Sequence, residues 1–257
     1  MSYLTAIAIV LTAAIAAGVA SYAAERLVNV DDRRRHHEVG HPVFLQLGVM
    51  LAVLLAFVYG EVSSQYDTTA QAINGECGAL HGAAMLAAAL PNNEGAPVVR
   101  AINTYVATVV HAEWPSMAQR RLSPVATEDF RAIMGLAAGL PLASASDAPT
   151  KAELLGLLGE AHANRETRAF EINLALPAAM WAVLIVMSAV LVGFVVLAGL
   201  EGGGHVFFAV AFAGCTVMIL VLVRMLDYPF EGALALGNED FVKLLREVSA
   251  LARPTGI

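Results

Sequence analysis

LTAIAIVLTAAIAAGVASYAA at residues 4–24 and VFLQLGVMLAVLLAFVYG at residues 43–60 are apolar runs without one Asp, Glu, Lys or Arg. Two more uncharged runs, residues 174–200 and 206–223, form a second pair. Each is close to the ~20 residues that carry a helix across a ~30 Å hydrocarbon core. Backbone groups in lipid must find partners within their own segment, so the runs read as helices. Between the pairs lies a polar insert, residues 61–173. The expected fold is all-α: four transmembrane helices arranged as two hairpins, with a helical extramembrane insert between spans 2 and 3. The expected divisions are 1–60 for the first hairpin, 61–173 for the insert, 174–226 for the second hairpin, and 227–257 for a turn and an amphipathic helix.

Composition supports the membrane assignment. Of 257 residues 58% are hydrophobic and 14% charged, unlike a soluble domain of this length. The net charge of -7 and the lack of a Lys/Arg stripe exclude a nucleic-acid partner. Two cysteines give no disulfide framework. The first run reads as a retained anchor, because Met1-Ser2-Tyr3 carries no positive charge and the run exceeds the about 7–15 apolar residues of a signal peptide. Residues 25–41 hold Arg26, Arg33, Arg34 and Arg35, whereas residues 61–80 hold no Lys or Arg. The positive-inside rule therefore places the Arg33–Arg35 loop in the cytoplasm, with the insert and both termini outside.

Pro42 suits the first turn of a helix, and the next proline is Pro91. Between them Ile73, Cys77, Leu80 and Ala84 recur at i, i+4, i+7 and i+11. Residues 42–90 therefore read as one long helix, or two nearly collinear ones, extending past the bilayer. In the insert, Val99, Ile102, Val106, Val109 and Val110 share a helical face. Thr127 reads as a cap for a helix over 130–140. Thr150-Lys151-Ala152-Glu153 reads as a capping box for a helix that runs on into the third span. Asn238 caps a last helix that ends before Pro254.

Four constellations carry possible chemistry. His37-Glu38-Val39-Gly40-His41 fits the H-E-x-x-H of zinc peptidases, but Pro42 pushes His41 off the helix that the motif needs, which disfavours an enzyme. Gln46, Met50, Val53, Phe57, Glu61, Gln65, Thr68 and Glu76 fall near one side of the long helix. Around a symmetry axis they would line a conduit with apolar rings inside and acidic rings at the mouth. Asn74, Cys77 and His81 share a face, as a soft-metal site or as packing positions. Asp227, Glu231, Asn238, Glu239 and Asp240 offer oxygen ligands for a hard cation such as Ca²⁺, or simply a capped turn; EF-hand spacing is absent.

The stretches HHEVGHPVF (36–44), AQAINGEC (70–77) and LDYPFEG (226–232) resemble a bacterial family described as bestrophin-like, and the likeness extends over nearly the whole chain. Bestrophins are oligomeric ion channels, usually pentamers, with the second transmembrane helix lining the pore. The resemblance thus implies a cyclic homo-oligomer in lipid that conducts inorganic ions, anions by analogy. The family's D-P-F-G turn, followed by Ca²⁺-binding acids, has its counterpart in Asp227, Pro229, Phe230 and Gly232, with one extra residue in each gap. Its cytoplasmic main body is the opposite placement to the one the arginines imply, and rings of Glu61 and Glu76 would repel chloride. The expected function is a homo-oligomeric ion channel. The alternatives are a non-conducting membrane scaffold or sensor and a membrane zinc metallopeptidase.

Overall fold

The structure is a computed structural model that describes residues 1–27, 30–141, 147–197 and 204–252, with the side chains of residues 30–40 and of Asp147 left aside. Among the described residues it contains helices and no strand. Four helices are long and apolar enough to cross a membrane: α1 (Tyr3–Leu27), the part of α2 from His41 onward, α7 (Ala178–Leu197) and α8 (Gly204–Leu226). The helix α2 as a whole spans Val30–Ala88. The chain divides into two compact units.

The first unit comprises Met1–Ser64, Ala175–Tyr228 and Gly232–Leu234. Its α1 buries Ala6, Ala14, Ala17, Gly18, Ser21 and Ala24, all small residues. That stripe lets α1 lie close against α8. A β-carbon at Gly18 would stand 2.8 Å from the Val210 side chain, and one at Gly214 would touch Ala14 at 3.6 Å. Close backbone approach replaces hydrophobic driving force between helices in lipid, where tails are as apolar as side chains. A second cluster joins Leu51, Leu55, Val58 and Val62 of α2 to Leu184 and Leu191 of α7 and Val223 of α8. Leu4, Ile15, Val186 and Phe207 point outward, as lipid-facing residues do.

The second unit comprises Gln65–Leu174, Pro229–Glu231 and Ala235–Ile257. It gathers the rest of α2 with α3 (Ala96–Thr108), α5 (Pro124–Ala138), α6 (Asp147–Glu171) and α9 (Glu239–Leu251). The heptad-like positions Ile73, Cys77, Leu80 and Ala84 are all buried, as are Val99, Ile102, Val106, Val109 and Val110. Helix α3 opens into a π turn at Val109–Glu113 before the short α4 (Trp114–Met117). Pro115 explains the widening: it has no N–H to return to the preceding turn, and its ring crowds that turn's carbonyl.

Several boundaries differ from the sequence reading. Pro42 lies inside α2, which begins at Val30, so the Arg33–Arg35 segment is helical. Proline's bias against a preceding helical residue is a local preference, and one lost backbone bond costs less than ending a helix whose other bonds persist. Helix α6 does not run into the third span. It stops at Glu171, and residues 172–177 are non-helical before α7 starts at Ala178. Pro177 supplies the break, and the amide of Leu176 turns to the Asp227 carboxylate at 2.8 Å instead. Helix α5 starts earlier than Thr127 allows, because Ser123 accepts the Ala126 amide and Pro124 occupies the first turn. The Thr127 hydroxyl is used by Arg165 at 3.1 Å. Helix α6 likewise opens at Asp147 rather than at Thr150.

Gly95 marks the tightest backbone approach in the second unit: a β-carbon there would sit 1.8 Å from the carbonyl oxygen of Ala87. Gly95→Ala is expected to lower unfolding stability by about 1–3 kcal/mol through forced overpacking. Thermal or denaturant unfolding in detergent measures this, and an unchanged transition would contradict the contact.

Candidate functional site

Helix α2 presents two opposed faces in the first unit. Leu51, Leu55, Val58 and Val62 are buried, while Gln46, Met50, Val53, Phe57 and Glu61 are exposed at i, i+4, i+7, i+11 and i+15. Phe57 is 73% exposed, the largest value among the exposed large hydrophobics of α2. The exposed face therefore reads polar, apolar, apolar, apolar, acidic along its length. In the second unit α2 continues with Asp67, Thr68, Gln71 and Asn74 exposed and Gln65 half-buried. Asp67 was not among the residues singled out by spacing, since it stands beside the strict i+3/i+4 track from Glu61. Residues 36–99 contain no Lys or Arg.

Glu76 does not share that exposed face. It is 0% exposed and faces the interior of the second unit. Arg168 of α6 grips it with two bonds, Nε to Oε2 at 2.8 Å and Nη2 to Oε1 at 3.1 Å. The Tyr105 hydroxyl donates to the same carboxylate. Arg168 also reaches Glu113 at 2.9 Å, and Glu113 meets Arg165 at 2.9 Å. Two cations and two anions thus balance within the core. The guanidinium of Arg168 lies 5.4 Å from the Phe241 ring centre and 5.6 Å from that of Trp114. Burial alone would lower the pKa of Arg168, but Glu76, Tyr105 and Glu113 outweigh it and hold the group above its ordinary value. Burial, and then the charge of Glu76, push the Tyr105 phenol upward, so it remains a donor. The sequence offered no sign that Glu76 has a partner 92 positions away.

The remaining candidates do not converge on a metal. Among the described residues no three His, Cys, Asp or Glu side chains are grouped to hold an ion. Asn74 bonds to the Ala70 carbonyl, Cys77 is buried, and His81 pairs with Glu247 at 3.8 Å. His37 and Glu38 have side chains outside the described residues. Asp227 and Glu231, two of the residues compared with a Ca²⁺ site, are engaged by protein donors. In the first unit, Asp227 is 2% exposed and accepts from the Leu176 amide at 2.8 Å and the Trp181 indole at 3.4 Å. In the second unit, Glu231 accepts from Arg120 at 2.9 Å, while Glu239 and Asp240 form the first turn of α9. A Ca²⁺ ion takes 6–8 oxygens at roughly 2.3–2.6 Å, and both oxygens of Asp227 and one of Glu231 already accept from protein donors.

The family model described as Bestrophin-like domain matches residues 10–241. Solved structures of a bacterial bestrophin homologue from Klebsiella pneumoniae share the fold. One, phased by Zn-SAD, is 14% identical with a TM-score of 0.74, covering 94% of this chain and 97% of that one. A mutant form is 13% identical with a TM-score of 0.75, covering 95% and 98%. Another mutant form is 18% identical with a TM-score of 0.69, covering 93% and 99%. Among curated proteins none matches.

Removing one member of the buried ion network leaves its partners charged and unsatisfied. Arg168→Met and Glu76→Gln are each expected to cost about 3–5 kcal/mol of stability, the second because both Glu76 oxygens accept from donors and the Gln amide must set an N–H against one of them. Unfolding measurements on each variant test this, and an unchanged transition in either would contradict the network.

Proposed function

The chain belongs to the bestrophin-like domain family, and on that premise we propose that it is a homo-oligomeric ion channel whose α2 helices line the conduction path. The observation that carries this reading is the exposed face of α2. Met50, Val53 and Phe57 form an apolar stretch between Gln46 and Glu61, and the same helix goes on to expose Asp67, Thr68, Gln71 and Asn74. Around a symmetry axis, as in the pentamer that the family analogy implies, the apolar stretch is a constriction that gates by dewetting and the acids form rings at its mouth. The outward apolar surfaces of α1, α7 and α8 would meet membrane lipid. Placing the arginine-bearing start of α2 in the cytoplasm follows from the positive-inside rule.

Bestrophin analogy implies anions. The lining favours cations instead: Glu61 and Asp67 are exposed, residues 36–99 carry no Lys or Arg, and the Glu76 charge is compensated by Arg168. A mouth ringed by carboxylates concentrates cations and repels chloride.

Purified protein in planar bilayers should conduct, with a reversal potential under a salt gradient of cationic sign. Glu61→Gln and Asp67→Asn should each move that potential toward zero, and together further. Phe57→Ala should raise unitary conductance by widening the constriction. Intact oligomers that pass no current under any ionic condition would remove the channel reading. An anionic reversal potential unaffected by both acid substitutions would remove α2 as the selectivity element.

A further inference from the structure

Arg120 stands in a backbone conformation that an arginine rarely takes, with φ of 59°. It follows α4, where its amide bonds to the Met117 carbonyl at 2.9 Å and the next amide, of Arg121, bonds to the Ser116 carbonyl at 3.0 Å. That pair of bonds is the Schellman ending of a helix, whose left-handed residue is usually glycine because a β-carbon is costly there. Such a conformation persists only where the surroundings over-determine it. What this position gains from an arginine is its side chain: the guanidinium reaches Glu231 at 2.9 Å. The segment carrying Glu231 is itself well seated in the second unit. Phe230 packs edge-on against Trp114 at 5.7 Å, Leu236 N–H donates to the Pro229 carbonyl at 2.7 Å, and the Trp114 indole donates to the Leu236 carbonyl at 3.3 Å.

We propose that Arg120 is a built-in counter-cation for Glu231, and that the turn after α8 is held by this guanidinium and by protein donors rather than by Ca²⁺. A fixed positive charge 2.9 Å from a carboxylate repels a dication approaching the same oxygens. Asp227, the other conspicuous acid of the turn, has both oxygens committed to the Leu176 amide and the Trp181 indole. Asp227 and Glu231 are thus each engaged by donors of their own unit, and Glu239 and Asp240 belong to the first turn of α9. The inference stands on these contacts and does not require conduction.

Two measurements on the purified full-length protein test it. The first is equilibrium binding of radioactive Ca²⁺ together with the thermal midpoint in millimolar Ca²⁺ and in chelator. No saturable binding and no shift of midpoint are expected; stoichiometric binding or a rise in midpoint would overturn the proposal. The second is a cycle of Arg120→Gly, Glu231→Gln and the double variant. Glycine suits the left-handed position, so Arg120→Gly removes the charge while keeping the turn. Its effect on the midpoint should be more adverse by about 1–3 °C in the wild-type background than in the Glu231→Gln background, the range for a half-exposed pair. Effects that simply add would show that Arg120 does not serve Glu231, and would overturn the assignment.

Discussion

Arg168 has no exposed surface and stands between two carboxylates that have none either, and the extramembrane unit is arranged around that constraint. A buried guanidinium is tolerated only where its charge and its directional donors are met. Here the charge is met by Glu76 from α2 and by Glu113 at the end of the π turn, and the donors by Glu76 and by the sulfur of Met117 at 2.9 Å. Arg165 repeats the arrangement one turn earlier on α6, with Glu113 and Thr127. The network therefore ties α2, α5, α6 and the π turn to a single relative placement. Desolvation offsets much of the Coulombic gain of such groups. Their contribution is best read as specificity: any other packing of these helices leaves a buried charge without a partner.

The membrane unit follows a different rule. No buried charge pair orders its helices among the described residues; small side chains do. Ala14, Ala17, Gly18 and Ser21 of α1 bring its backbone close to α8. On α2 the buried Leu51, Leu55, Val58 and Val62 take one side and leave Met50, Val53 and Phe57 on the other.

The same α2 helix explains why an acidic stripe read from spacing was partly misleading. Gln46, Glu61 and Thr68 are exposed as their spacing implied, but Glu76 belongs to the core network. Likewise Asp227, Glu231, Glu239 and Asp240 looked like a ligand set because they are near in sequence. Asp227 instead closes the start of α7, Glu231 meets Arg120, and Glu239 and Asp240 sit in the first turn of α9, where acids complement the helix dipole.

The four spans and the long α2 helix were legible from the residues alone, because hydrocarbon demands length, the absence of charge and internally paired backbone, and each of these is written locally. So was the buried track Ile73, Cys77, Leu80, Ala84, since a 3.6-residue period needs only neighbours on the chain. The break at Pro177 and the passage of α2 through Pro42 were decided by tertiary context: prolines bias a backbone, while distant partners such as Asp227 settle which way it goes. The fate of Glu76 was decided the same way. Spacing along one helix tells which side chains share a face. Whether that face is covered depends on Arg168, whose arrival from 92 residues away is a property of the packed chain.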